Sequence, residues 1–478
     1  MFIIGKTKLK DDGIYLIGNN ADDVTGSCVY IRYNGKQVLL ECGMTQLNDY
    51  LENYNINSEK FKFNPSEIDY VFINHCHVDH IGLLPRLVRE GFSGKIIASH
   101  ATALLMKPLL LNSCFILGNE AFCLSKKFHR DYKPIYEESD VYNTLSLIYE
   151  YDDLDKIFYL DDVISFRWFS NSHCIGARQL QLILSDRMGI KKSILYTSDI
   201  GGLATENHYI DTTVIPEIHS EVVIGESTYG LKQRQNSKNR KKDLEHLRVA
   251  IDTVLERGGT VLLPAFSFSR SQELLTNLYD IYGNTDWNYD VVIDSLLTCD
   301  ICNLYDEIIT DKYWDAVRTW KNVKYITDKS ESLACVKTHN PKVIISSSGF
   351  CTNGRILSYL HEYLSDENSM VIFSGYTGND NSYLSYRIKN YKENKTLKIS
   401  GDPVENNADC ITLTTFSSHA NRDDLIKYYS SLNTNKLILV HGSIEAKNSL
   451  KESLKDAISK SDKSFKVLVS NKDMYIKI

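Results

Sequence analysis

Proline is scarce in this chain, 8 residues in 478, and the few there are do not cluster. With no Gly/Ser-rich tract and no internal repeat either, flexible linkers and solenoid arrays are excluded, and domain boundaries must be read from the order of strands and helices. Apolar runs are short. None approaches the roughly 20 residues of a membrane helix. The amino-terminal MFIIGKTKLK opens with four apolar residues, fewer than the roughly 7 to 15 of a signal peptide. A cytoplasmic protein without membrane attachment is expected. A disulfide framework is absent as well: the 11 cysteines are odd in number and scattered, as in a reducing compartment. Only Cys299 and Cys302 form a C-x-x-C pair, and with no second pair or nearby histidine they read as filler rather than a zinc ribbon. Positive charge is not in excess. A net charge of -7 gives no global attraction to nucleic acid, so any such contact needs a local basic patch. The run Lys232, Arg234, Lys238, Arg240, Lys241 and Lys242 is a candidate patch, and reads equally as a solvated helix start.

What is present is a soluble-enzyme composition, 43% hydrophobic and 24% charged, on a chain long enough for two or three folding units. Its first part reads as short strands, Gly26 to Tyr33 and Gln37 to Glu41, then Tyr70 to Asn74 running into a histidine-rich loop. Strands follow at Ile164 to Ser170, Leu180 to Ser185, Ile194 to Ser198 and Val222 to Glu226. From about residue 231 helices and strands alternate, which implies a parallel sheet flanked by helices. After about residue 396 come strands Ile411 to Thr415 and Lys436 to Val440, a helix and two short strands. Metal-type histidines stand on both sides of the middle block, so that block is expected to be inserted into one catalytic domain: 1–230 and 396–478 around 231–395.

The densest chemical signal is His75-Cys76-His77-Val78-Asp79-His80, an H-x-H-x-D-H run directly after an apolar strand. Three imidazoles and a carboxylate suit zinc, and packing gains nothing from clustering them. Cys76, at an x position, reads as a small apolar filler. Four residues cannot satisfy two ions, so more ligands must come from strand ends later on: His173, Asp199 and His441 are the candidates.

The order of these motifs resembles the metallo-β-lactamase fold: the H-x-H-x-D-H run, His173 with Gly176, then Asp199. Glu226-Ser227-Thr228-Tyr229-Gly230, Phe416-Ser417-Ser418-His419-Ala420 and Val440-His441-Gly442 resemble motifs A, B and C of its β-CASP branch, which contains RNA-processing nucleases such as the endonuclease subunit of the mRNA cleavage and polyadenylation factor. The resemblance implies an α/β protein, an αββα sandwich with an inserted β-CASP domain. It further implies two zinc ions per chain, His75, His77 and His173 on one, Asp79, His80 and His441 on the other, Asp199 bridging. Manganese or iron are the alternatives. The activity implied is hydrolysis of single-stranded RNA by a hydroxide activated between the metals. Products would carry 5′-phosphate and 3′-hydroxyl ends, with His419 donating the leaving-group proton and Glu226 orienting it. Histidine at 441, where DNA-repair members carry valine, favours RNA. Tyr229, Arg270, Ser348 and Arg355 are candidate substrate contacts; Tyr229 reads equally as packing and both arginines as intradomain salt bridges. Two residues depart from the family pattern: Glu41 stands where aspartate is usual, reaching one methylene further, and Asn421 replaces an aspartate. A third departure is the stretch Gly375-Tyr376-Thr377-Gly378-Asn379-Asp380-Asn381. A DNA or small-molecule hydrolase on the same centre, and a non-catalytic scaffold, are the competing readings. Cleavage mode, endonucleolytic or also 5′-to-3′ exonucleolytic, stays open, as does oligomeric state, including a homodimer.

Overall fold

The segment VYIRY-NG-KQVLL folds as its pattern dictates. Strands Val29–Tyr33 and Lys36–Leu40 pair in antiparallel register Tyr33↔Lys36 across the two-residue turn Asn34-Gly35. Both turn residues have positive φ, 46° and 86°, the requirement of the tight hairpin that Asn-Gly favours. In this computed structural model the described residues are 3–4, 7–204, 207, 209–231, 240–378, 380–390, 393, 395–413 and 415–478. They fall into two units, Met1–Glu206 with Ile210–Gln233 and Ser418–Ile478, and Asn207–Tyr209 with Arg234–Ser417.

The first unit carries two seven-stranded sheets. One runs in the order Met474–Ile476, Gly13–Leu16, Val29–Tyr33, Lys36–Leu40, Tyr70–Phe72, Lys95–Ala98, Ile148–Glu150. The other runs Lys466–Val469, Asn433–Val440, His219–Glu226, Lys191–Tyr196, Arg178–Ser185, Ile164–Ser170, Ile157–Tyr159. Alternate residues of both sheets meet in one core, where the rings of Phe72 and Phe166 lie 5.1 Å apart and those of Phe166 and Trp168 5.3 Å apart, all tilted edge to face. On its other face the second sheet packs Leu195, Val223, Leu437 and Leu439 against Leu425 and Tyr428 of helix Arg422–Ser431 and Leu450 and Leu454 of helix Ile444–Ser459. The consequence for function is that the strands ending at Leu40, Phe72, Ser170, Tyr196, Glu226 and Val440 each lead directly into a residue of the site below.

Helix His100–Phe128, begun by the Ser99 side chain accepting from the Thr102 amide, was not apparent as one element in the sequence. It corrects the expectation about apolar runs, since its most apolar window has mean hydropathy 1.5, enough by length and composition to cross a membrane. Lys107 and Asn112 interrupt the run without lowering the average enough to fail that test. Half of the window is buried inside the unit, as in a core helix.

The second unit has a six-stranded, wholly parallel sheet in the order Val323–Tyr325, Asp290–Ile293, Lys342–Ser346, Thr260–Pro264, Met370–Phe373, Asp409–Thr412. Near-continuous Val/Ile/Leu runs such as Thr-Val-Leu-Leu-Pro and Lys-Val-Ile-Ile-Ser are wholly buried, as strands covered on both faces must be. This unit extends to Ser417, beyond the expected end at residue 395. Strand Asp409–Thr412 pairs with Met370–Phe373 and so belongs to the inserted sheet rather than to the carboxyl-terminal part. A strand's partner cannot be read from its own residues.

Candidate metal centre

The histidine run leaves strand Tyr70–Phe72 extended and then turns into the one-turn helix Val78–Ile81 with His77 at its N-cap. That turn separates His75 and His77 from Asp79 and His80. It is clamped by the segments before Val29 and after Leu40: the Ser27 amide donates to the Asp79 carbonyl and the Cys42 amide to that of His80, both at 2.8 Å. A side chain at Gly43 would place its first carbon 1.6 Å from the Asp79 carbonyl oxygen, so only glycine permits this approach. Cys76 is fully buried, its thiol pushed up by desolvation, and its sulfur is not among the converging donor atoms.

Residues far apart in sequence converge on this turn. Ligand atoms of His75, His77 and His173 lie within 4.8 Å of one another, and so do those of Asp79, His80, Asp199 and His441. Asp199 stands between the groups: its Oδ2 is 3.8 Å from His75 Nε2, 3.9 Å from His173 Nε2 and 3.2 Å from His80 Nε2. Asp79 Oδ2 is 3.5 Å from both His80 Nε2 and His441 Nε2, and His173 Nε2 is 3.2 Å from His77 Nδ1. Asn171 ties two of the loops together, its Oδ1 accepting from the His173 and Gly201 amides while its Nδ2 donates to the Asp199 carbonyl.

Burial and mutual repulsion depress the imidazoles. His75 and His173 are held well below the usual histidine range, first by desolvation and then by neighbouring rings, and desolvation brings His77 down to about 4. Neutral rings keep the lone pairs that metal ligation requires. His80 goes the other way. Burial opposes its charge, but Asp199 and Asp79 beside it outweigh that and raise it well above the usual range. The same pairings hold both aspartates well below the carboxylate range in spite of burial. Four buried ring nitrogens, His75 Nε2, His80 Nδ1, His173 Nδ1 and His441 Nε2, have no hydrogen-bond partner among the described residues. Orphaned buried polar atoms are costly unless something satisfies them, and all four rings belong to the converging sets. Imidazoles with interspersed carboxylates therefore fit a divalent cation. The backbone is bent to suit: Glu41, Ser198 and His441, each just beyond a strand, adopt φ of 63°, 52° and 50°, a region non-glycine residues enter chiefly where the surroundings enforce it.

Beside the cluster His419 Nδ1 lies 3.1 Å from Glu226 Oε1. Glu226 is 1% exposed and also accepts from the Ile200 and Thr228 amides, which fixes its carboxylate. Burial opposes protonation of His419, yet the Glu226 charge and hydrogen bond raise it to about 9. Its ring is 4.7 Å from that of His173 and 6.1 Å from that of Tyr229. Departing Glu41, wholly buried, reaches the Asn74 amide at 3.2 Å and Ser198 Oγ at 3.1 Å, with His80 Nδ1 at 3.6 Å. Two hydroxyls that the sequence does not mark as site residues, Ser198 at a strand end and Thr228 within the Glu226 motif, touch ligand rings. Each stands next to, or two residues from, a residue singled out above.

Arg270, Ser348 and Arg355 belong to the second unit. Arg270 pairs with Glu273 at 2.5 Å, and Arg355 pairs with buried Asp294 at 2.5 Å while donating to the Ile326 and Thr327 carbonyls. Both arginines thus form the intradomain bridges that the sequence leaves open as one of their two roles. Ser348 Oγ accepts from the Thr352 and Asn353 amides within its own turn. In the basic run, Lys232, Arg234 and Lys238 lie outside the described residues, as does Asn379 of the divergent glycine-rich stretch.

Three family models match the chain: the metallo-beta-lactamase superfamily over residues 21–113, the Beta-Casp domain over 271–381, and the Zn-dependent metallo-hydrolase RNA specificity domain over 403–469. The chain belongs to the β-CASP branch of the metallo-β-lactamase superfamily. It is a metal-dependent hydrolase by family, and the clustered His/Asp donors are where a divalent cation fits. A ribonuclease of Thermus thermophilus is 27% identical over 436 residues, 89% of this chain and 92% of that protein. The endoribonuclease YSH1 of Candida glabrata is 24% identical over 456 residues, 91% of this chain but 55% of that protein. A crystal structure of a protein of unknown function from Enterococcus faecalis superposes with a TM-score of 0.55 at 13% identity, covering 98% of this chain and all of the other, which supports the fold alone.

Proposed function

We propose that this β-CASP protein hydrolyses phosphodiester bonds of single-stranded RNA at a centre of two zinc ions, leaving 5′-phosphate and 3′-hydroxyl ends, in RNA processing or decay. The observation that carries the reading is the position of Asp199, whose one carboxylate lies within 3.9 Å of imidazole nitrogens from both donor groups. His75, His77 and His173 would hold one ion, Asp79, His80 and His441 the other, with Asp199 shared. A divalent pair so held supplies a water of lowered pKa and neutralises charge on the phosphoryl oxygens. Zinc is favoured by neutral imidazoles with carboxylates; manganese or iron would accept the same donors. RNA rather than DNA is favoured by the RNA-specificity match, by the ribonucleases among the relatives and by histidine at 441.

The chain's own groups then complete the reaction. His419, held protonated by Glu226, delivers a proton from its other ring nitrogen to the departing 3′ oxygen. Glu226, fixed by two backbone amides, keeps that ring in one tautomer and orientation. Eleven free cysteines support a reducing, cytoplasmic location.

The test is to incubate end-labelled single-stranded RNA and DNA of one sequence with the zinc-loaded protein and with Asp199→Ala. Cleavage of RNA in preference to DNA, 5′-phosphate products, and loss of cutting in the variant are expected. A wild type that cuts neither strand, or a variant that still cuts, would overturn the reading.

A further inference from the structure

Two hydroxyl groups beside the donor cluster occupy positions that decide where the protons of the ligand rings sit. Thr228 Oγ1 has one proton and contacts two atoms of the same residue: it donates to the His441 carbonyl at 3.2 Å and lies 2.9 Å from His441 Nδ1. With its proton committed to the carbonyl, Oγ1 can only accept at the ring, so Nδ1 must carry hydrogen. The second neighbour of that nitrogen agrees, since Asp199 Oδ1 at 3.3 Å is an acceptor and would face a bare Nδ1 lone pair unfavourably. Nε2 is then left with its lone pair, and it is this atom that lies 3.5 Å from Asp79 Oδ2 and has no hydrogen-bond partner among the described residues.

The same arrangement recurs on the other donor group. Ser198 Oγ donates to the Glu41 carboxylate at 3.1 Å and lies 3.3 Å from His75 Nδ1, so it too accepts from an Nδ1–H. His75 Nε2, again without a partner, points to Asp199 Oδ2 at 3.8 Å. One member of each hydroxyl–ring pair, Ser198 in one and His441 in the other, has left-handed backbone, with φ of 52° and 50°. Glu41 gains a use here: it reaches the Ser198 hydroxyl at the strand end, and that hydroxyl in turn reaches the ring.

We propose that Ser198 and Thr228 are positioning residues that lock His75 and His441 in the Nδ1–H tautomer, presenting Nε2 of each to a different one of the two cations. Each hydroxyl acts through the ring it orients. A ring free to take the other tautomer must give up that state each time it binds an ion, and a hydrogen-bond partner on the far nitrogen of a ligand ring is worth about 10- to 100-fold in metal affinity. The inference rests on reading the cluster as a two-cation centre and is independent of whether the substrate is RNA.

Zinc affinity and stoichiometry, measured by competition with a chromophoric chelator on the full chain, test it without reference to activity. Wild type is expected to take two ions. Thr228→Val should weaken one of them by about 10- to 100-fold and leave the other unchanged, Ser198→Ala should weaken the opposite one, and Thr228→Ser should restore wild-type binding. Circular dichroism of the metal-free proteins checks the fold, with Thr228→Ala standing in if the valine variant does not fold. Wild-type affinity for both ions in Thr228→Val and Ser198→Ala, or a Thr228→Ser variant as impaired as Thr228→Val, would overturn the proposal. A wild type that binds fewer than two ions would instead overturn the two-cation reading beneath it.

Discussion

His419 Nδ1 sits 3.1 Å from Glu226 Oε1, and that contact holds the imidazole protonated up to about pH 9 despite burial. A group that must donate a proton is active below its pKa and fails as pH rises through it, so His419 sets an alkaline limb on the rate. Glu226→Gln removes the negative charge and should move that limb to lower pH by about one unit or more, the size of a shift from one adjacent charge. Bound cations lower the limb in both proteins and leave the difference between them. The pH profile of kcat on RNA, with the metals saturating, is the measurement; an unmoved limb would show that another group supplies the proton.

The approach of Gly43 to the Asp79 carbonyl makes a second prediction. In Gly43→Ala the added carbon cannot occupy its ideal position 1.6 Å from that oxygen, so the turn carrying Asp79 and His80 must shift away from Glu41 and Cys42. A displacement of ligands by about 1 Å is enough to cost on the order of 100-fold in rate. The expected outcome is a folded protein with reduced zinc content, read by atomic absorption alongside circular dichroism. Full zinc occupancy and unchanged activity would show that the loop yields without moving the ligands.

How much of this could be read in advance depends on where each signal resides. The run from His75 to His80 is contiguous, so its chemistry is legible before any fold is known. His173, Asp199, Glu226, His419 and His441 are identifiable because each follows or ends a strand or stands in a motif, and the strands Ile164–Ser170, Lys191–Tyr196, His219–Glu226 and Asn433–Val440 run in one direction although Arg178–Ser185 between them runs in the other. The use of Ser198 and Thr228 is not legible in the sequence, Thr228 standing inside a recognisable motif and Ser198 at a strand end, since a hydroxyl gains its meaning only from the ring beside it. The strand expected at Ile411 to Thr415 is found at Asp409–Thr412 and belongs to the inserted unit, because its pairing with Met370–Phe373 is a non-local fact. The helix His100–Phe128 was obscured by Pro108 and by polar interruptions that its buried face tolerates.

Between the first unit's sheets Trp168 is fully buried against Phe72 and Phe166. Trp168→Ala should destabilise the protein by about 3–5 kcal/mol, the usual cost of emptying a core aromatic site. Strand Ile164–Ser170, which carries Trp168, leads to His173, so loosened packing should also weaken zinc binding. Urea unfolding followed with and without zinc would measure both effects. A change below about 1 kcal/mol would mean that the two sheets repack around the loss.

Arg355 distinguishes a structural charge from a substrate contact. Its guanidinium pairs at 2.5 Å with Asp294, a carboxylate with no exposure that also accepts from Tyr359 and Ser332 hydroxyls. Arg355→Met leaves that carboxylate buried without its cation, a loss of about 3–5 kcal/mol. Replacing both partners in Arg355→Met/Asp294→Asn removes the uncompensated charge and should recover a large part of that stability. A residue that serves only RNA would behave oppositely: the single variant would unfold at the wild-type temperature and bind RNA more weakly, with a shallower salt dependence. Thermal unfolding of the two variants and of the wild type, set beside RNA affinity at two salt concentrations, separates the roles. The ion pair predicts that the double variant melts above the single one.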